Sequence, residues 1–179
     1  MRKDAPGPET GFTLLELSLC LAVASVLAVL AVPELQRMTQ RYRAGAAMHL
    51  LATDLALARN AAVSRGVPVT LCPSRGDGRC RDTPDWSAGW LVYRDPQRAA
   101  QPASAGDILQ DVRQPLHASV RVAASAGRLR VRYQPQGFSP GSNLTLRVCA
   151  AMRLQGEVVV NNAGRPRSRR VDGRVDCPF

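Results

Sequence analysis

The chain is short of the residues from which catalytic centres are assembled. Among 179 residues there are two histidines, His49 and His117. Neither stands at a telling spacing from a Ser, Cys or carboxylate partner, so a nucleophile relay is unsupported. The five cysteines include no C-x-x-C pair, and their spacings are wrong for a structural zinc site. Asp77 and Asp82 are two loop carboxylates, too few to hold calcium. No Walker-type glycine loop and no internal repeat occurs. Lys3 is the only lysine, so nearly all of the positive charge is arginine. These gaps argue against an enzyme and against a bound cofactor or metal, and leave a structural or binding role.

One long apolar run stands out in what is present. Phe12 to Val32 is 21 residues, which as a helix makes roughly 30 Å, one bilayer core. A lone carboxylate, Glu16, lies at its outer edge. An ionisable group there costs a few kcal/mol on insertion scales, so it should have a specific partner. A secretory signal peptide, with Val29 and Ala31 before a cut, would need an apolar core that Glu16 interrupts. A plain anchor accounts for the length but not for the order Gly-Phe-x-x-x-Glu.

That order does resemble something. Gly11-Phe12-Thr13-Leu14-Leu15-Glu16, preceded by a short polar leader and followed by the apolar run, is similar to the type III signal of type IV prepilins over residues 7–33. The resemblance implies cleavage between Gly11 and Phe12 by a prepilin peptidase and N-methylation of Phe12. It also implies that Glu16 pairs with a neighbouring subunit's terminal amine during assembly. The expected divisions are a leader over 1–11, a transmembrane helix over 12–33, its amphipathic continuation over 34–65, and a globular β head over 66–179.

Pro33 should interrupt the helix near the lipid boundary, where a kink is tolerable. Beyond it Ala44, Met48, Leu51, Leu55, Ala58 and Ala62 recur at three- and four-residue steps and make one apolar face. Arg37, Arg41, Arg43 and Arg59 fall elsewhere on the wheel. A continuous helix from about Thr13 to Ser64, stopped at Gly66, is expected. After Gly66 the period changes to two, predicting strands near 67–72, 89–94, 108–113, 119–122, 128–133, 144–149 and 157–161. Segments 74–87 and 95–107, rich in Gly, Pro, Asp and Ala, read as loops.

Cys20 lies in the apolar helix, where it packs as a small hydrophobe. Cys72, Cys80, Cys149 and Cys177 fall in the exported part, where an oxidising compartment lets them pair. Of three connectivities, Cys72–Cys80 with Cys149–Cys177 is favoured: the first closes a Pro/Gly-rich loop, the second ties the C-terminal tail to a strand. Chain entropy makes these worth roughly 2.5 and 3.5 kcal/mol.

Leu71-Cys72-Pro73-Ser74, Cys80, and Trp86-Ser87-x-Gly89-Trp90-Leu91-Val92-Tyr93-x-Asp95 look like the signature of the FimT/GspH family, minor pilins and pseudopilins. The resemblance runs from Gly11 to the C-terminus, with 95–122 matching only by position. It implies an α+β, type IV pilin-like fold: a long N-terminal helix packed on a small antiparallel β-sheet head. It implies a single-pass inner-membrane protein with a periplasmic head that enters the pilus. Its partners would be other major and minor pilins, the prepilin peptidase and the pilus assembly platform.

Net charge is +10, and from Arg128 onward ten arginines face only Glu157, Asp172 and Asp176, a net of +7. Such a field favours a polyanion. Four of these arginines crowd Gly164-Arg165-Pro166-Arg167-Ser168-Arg169-Arg170, read as a basic loop whose far end Cys177 pins. Guanidinium forks match phosphate oxygens bidentately. Four phosphate contacts on duplex DNA predict a log–log salt slope of about −3.6. The Gly-Arg-x-Arg order resembles the C-terminal motif of FimT proteins that capture DNA for natural transformation. On that resemblance Arg165 and Arg167 are the motif's arginines, while Arg169 and Arg170 join on charge alone. Arg128, Arg130 and Arg132 form an alternating strip that would extend the footprint. A solvated basic loop with no ligand is the plain alternative. A GspH-type pseudopilin of type II secretion, or a pilin serving only assembly priming or adhesion, are the others. Trp86 and Trp90 read as core rather than as base-stacking platforms.

Overall fold

The computed structural model describes residues 13–179, so the expected processing site at Gly11 and Phe12 lies outside the described residues. The helix α1 spans Leu14–Arg65 and carries Pro33 within it, so the expected interruption at the proline does not occur. Thr13 caps it: the Glu16 N–H donates to Thr13 Oγ1 at 3.2 Å. Thr-x-x-Glu is the sequence of a capping box, and a carboxylate in the first turn suits the helix dipole. Glu16 thus has a local structural use as well as its expected one in assembly. At the other end Gly66 takes φ +66°, the left-handed conformation that lets a chain leave a helix.

The described residues form two compact units, one ending at Met38 and the other Thr39–Phe179. In the first, the helix is long and apolar enough to cross a membrane by length and composition, and none of its most apolar stretch is buried. Cys20 lies there, exposed and unpaired.

The second unit holds the rest of α1 and eight strands: β1 (Val69–Pro73), β2 (Gly89–Arg94), β3 (Ile108–Arg113), β4 (Val120–Ala124), β5 (Val131–Tyr133), β6 (Leu144–Ala150), β7 (Arg153–Val160) and β8 (Pro166–Arg170). They form two four-stranded sheets, ordered β3-β2-β1-β5 and β4-β6-β7-β8, and every pairing is antiparallel. All six apolar positions read from the helical period, Ala44 to Ala62, are buried. They share a core with Val69, Leu71, Trp90 and Val92 of the first sheet and Val122, Leu146, Val148 and Val158 of the second. Fully burying a Leu or Val of this kind contributes about 1.5–3 kcal/mol.

Trp86 and Trp90 are fully buried. Trp90 Nε1 donates to Asp54 Oδ2 at 2.7 Å, so α1 presents a carboxylate on its buried face where the indole needs an acceptor. Cys72 is bonded to Cys80 and Cys149 to Cys177. The first bridge lies with Leu91 and Tyr93 in a second apolar cluster, on the side of the first sheet away from α1.

Three elements differ from expectation. β7 begins four residues earlier than predicted, because Gly156 marks a close approach rather than a turn: a Cβ there would stand 2.3 Å from Met48 Sδ. β5 is half its predicted length, since Arg128 Nε donates to the Arg130 carbonyl at 3.1 Å and holds that segment out of the ladder. The arginine tail, expected to be a loop, is a strand. β8 pairs along β7 from Val160↔Pro166 to Gly156↔Arg170 and closes the second sheet as its edge. Proline is tolerated there as a first residue, and charged side chains are usual on an edge.

Candidate functional site

The turn into β8 explains Gly164. It is buried at φ +72°, and a Cβ would fall 2.1 Å from the Gly137 carbonyl oxygen. Only glycine fits that conformation against that backbone. Its N–H donates to the Asn161 carbonyl at 2.9 Å, and the neighbouring Ser139 N–H donates to Asn162 O at 3.0 Å. The motif glycine therefore fixes where Arg165 emerges, by packing and not by offering a contact of its own.

Strand alternation then separates the arginines. Arg167 and Arg169 stand opposite Val159 and Glu157, on the face of the sheet turned away from the core. Arg170 stands opposite Gly156 on the other face, and its guanidinium reaches to 3.7 Å from where a Cβ on Gly45 of α1 would lie. The structure sets Arg167 and Arg169 on one outward face, leaves Arg165 exposed at the turn just before the strand, and sends Arg170 to the helix side. All four are exposed. Arg165, Arg167 and Arg170 make no ion pair among the described residues. Arg169 is bound to Glu157 at 2.7 Å, and Arg147 of β6 approaches the same carboxylate at 3.6 Å.

The outward face carries two arginines that reading along the chain did not assign to the site, Arg121 and Arg147. The pairings Arg147↔Glu157 and Glu157↔Arg169 set Arg147 two strands from Arg169, about 10 Å away at ordinary strand spacing. Arg121 stands on β4 opposite Cys149, with its guanidinium 5.7 Å over the Phe179 ring. Alternation within β6 already turned Arg147 outward; what was missing was the strand order that sets it in line with the tail.

The strip Arg128, Arg130 and Arg132 does not extend this surface. It belongs to β5 and its approach, in the other sheet, and its guanidiniums are engaged internally. Arg132 Nε bonds Asp95 Oδ2 at 2.7 Å. Arg130 pairs with Asp82 and donates to Ala100 O at 2.9 Å. Arg128 donates to Ser142 O and Ser139 Oγ, each at 2.6 Å, and burial lowers its affinity for its proton. The same partial burial that made these residues alternate with Leu129, Val131 and Tyr133 draws their charged ends onto local acceptors. Burial raises the hydroxyl pKa of Tyr133, and Tyr93 shifts the same way with help from Asp95.

Asp77 and Asp82, weighed for calcium, are each paired to an arginine, Arg81 and Arg130. Among the described residues no cluster of three His, Cys, Asp or Glu side chains is placed to hold a metal. His117 Nδ1 does meet Ser119 Oγ at 2.9 Å, a contact that sequence spacing had not suggested. It is a local turn: Ser119 N–H also donates to that nitrogen, while the hydroxyl donates to Gln40 Oε1 at 2.9 Å.

A long N-terminal helix with antiparallel sheets is the type IV pilin fold. The family model described as "Type II transport protein GspH" matches residues 47–172, well over half of the chain. The chain belongs to this family, and is a minor pilin or pseudopilin of the FimT/GspH kind. Membership implies association with other pilins and their machinery, in a family whose members are structural and not enzymatic. With the long apolar helix, it suggests a membrane-anchored pilin with a soluble head. Among solved structures, the type IV minor pilin FimU of Pseudomonas aeruginosa PAO1 is similar in fold. One crystal form gives 16% identity and a TM-score of 0.54, covering 76% of this chain and 91% of that one. A second gives 16% identity and 0.49, covering 69% and 90%. No curated protein matches the chain.

Proposed function

We propose that this chain is a minor type IV pilin of the FimT branch that binds extracellular DNA, without regard to sequence, for uptake in natural transformation. One observation carries the reading. Arg165 and Arg167, the two arginines of the Gly-Arg-x-Arg resemblance, emerge exposed and unpaired from a rigid turn and an edge strand. The ladder holds the backbone of β8, so on meeting phosphate the cost is confined to side-chain freedom, which the planar guanidinium fork keeps low per hydrogen bond formed. Arg169 and, from the adjoining strands, Arg147 and Arg121 widen the positive field. No base-reading constellation accompanies them, so the binding is to backbone charge. Glu16 serves assembly in this reading, neutralising a partner subunit's terminal amine where an unpaired charge would be costly.

The test is a titration of the full chain in detergent with a labelled duplex at several salt concentrations. Arg165→Ala with Arg167→Ala should weaken binding at low salt and flatten the log–log salt slope by about two units. An unchanged slope removes these arginines from contact with DNA. The match to a family of type II transport proteins favours a second reading, a pseudopilin of type II secretion, in which the chain ignores DNA at any salt.

A further inference from the structure

We propose that Phe138 is a base-stacking residue beside the arginine turn, and that the site takes single-stranded or unpaired DNA in preference to intact duplex. This rests on the DNA-binding reading above and adds the form of DNA to it.

Phe138 is 56% exposed, whereas Ser139 beside it is wholly buried and Gly137 is buried too. The backbone on both sides is tied down. Gly137 N–H donates to Gln134 O at 2.8 Å and Gln134 N–H to Phe138 O at 2.8 Å. Arg59 Nε reaches the Gly137 carbonyl at 3.0 Å, and Arg128 holds the Ser139 hydroxyl at 2.6 Å. A rigid backbone therefore turns a hydrocarbon ring outward while its neighbours turn in. Loss of freedom on stacking is small for such a ring.

The same two residues that fix Phe138 fix the arginine turn. Gly164 presses on the Gly137 carbonyl, and Ser139 N–H donates to Asn162 O. Phe138 and Arg165 thus stand on two loops stapled to each other. The other aromatic side chains among the described residues are elsewhere or occupied: Trp86, Trp90, Tyr93 and Tyr133 are buried, Arg121 lies over Phe179, and Tyr42 is on α1. A cationic track with an exposed ring beside it is how proteins hold single strands, because every base has a face to stack and the backbone supplies charge. In duplex DNA those faces are covered by neighbouring bases.

The experiment uses the full chain in detergent with labelled oligothymidine, a mixed-sequence duplex of equal length, and inorganic polyphosphate as a base-free competitor. The unaltered chain should bind oligothymidine more tightly than the duplex. Phe138→Ala should weaken oligothymidine binding about tenfold, as loss of one stacked base predicts, and leave the duplex and polyphosphate affinities unchanged. Phe138→Trp should restore the single-strand affinity, which a merely structural role would not do. Duplex preferred by the unaltered chain, or oligothymidine affinity untouched by Phe138→Ala, overturns the inference while the DNA reading stands; the second result would fit a ring that meets a neighbouring pilin. Equal losses on all three probes also overturn it, as a general disturbance of the turn. A chain that binds none of the probes defeats the DNA reading itself, and this inference with it.

Discussion

Asp54 illustrates what a single residue can hide. It occupies the inner face of α1 between Leu51 and Leu55, 4% exposed, and its carboxylate receives the Trp90 N–H with Gln110 Nε2 at 3.5 Å from the other oxygen. Helical periodicity passes over it, since the pattern is made by the apolar residues around it. Asp54→Ala leaves the buried indole N–H without an acceptor and should cost about 1–3 kcal/mol. Asp54→Asn keeps an acceptor and should cost less. Thermal unfolding followed by near-ultraviolet circular dichroism, which reports on the indoles, checks both; equal losses would show that charge matters more than the hydrogen bond. Gly164 was legible as the glycine of the Gly-Arg-x-Arg order. Its reason, the Gly137 carbonyl packed against it, lies 27 positions away in sequence and no local pattern contains it.

At the scale of elements, period was the dependable signal. The amphipathic half of α1, its Gly66 stop and the strands at Gly89–Arg94 and Ile108–Arg113 were all readable, because each buries one kind of residue at a fixed step. β8 was not, because an edge strand with neither face deeply buried has no apolar alternation to read. Its proline and four-residue polar run look like a loop, and only pairing with β7 makes them a strand. The ladder also changes what orders the arginines. Five residue pairs hold β8, while the Cys149–Cys177 bridge secures the segment after it, where Cys177 N–H donates to Met152 O at 3.0 Å. Replacing both cysteines by serine should therefore lower stability by up to about 3.5 kcal/mol in the chain-entropy model, yet weaken DNA binding less than the Arg165, Arg167 double substitution. Denaturant unfolding and the same duplex titration measure the two effects separately; equal losses of affinity would make the bridge the organiser of the site.

Over the whole molecule, the resemblance to pilins was carried by Gly11 to Glu16 at the head of an apolar run and by the Leu71-Cys72-Pro73-Ser74 and Trp86 to Asp95 segments, while the arginine concentrated after residue 128 carried the expectation of a polyanion. Composition located the charge but could not apportion it. In the fold, the strip around Arg132 serves internal contacts and Arg169 pairs with Glu157, while Arg165, Arg167 and Arg170 make no ion pair among the described residues. Glu16 is the residue whose role belongs to this scale. Glu16→Ala removes the proposed partner of a neighbour's terminal amine while leaving the fold of residues 39–179 intact, since α1 contributes no core residue before Ala44. The expected outcome is a chain that inserts and folds but is depleted severalfold from sheared fibres, read by immunoblot of fibre and membrane fractions. Undiminished recovery in fibres would leave the carboxylate only its place in the helix cap.

The basic rim formed by β8 has one more consequence. A second copy approaching in antiparallel register would set guanidinium against guanidinium along the seam, and like charges directly opposed disfavour such zippering. The unsatisfied peptide groups on that border are thereby kept from closing on their own kind, so crowded copies resist cross-β aggregation.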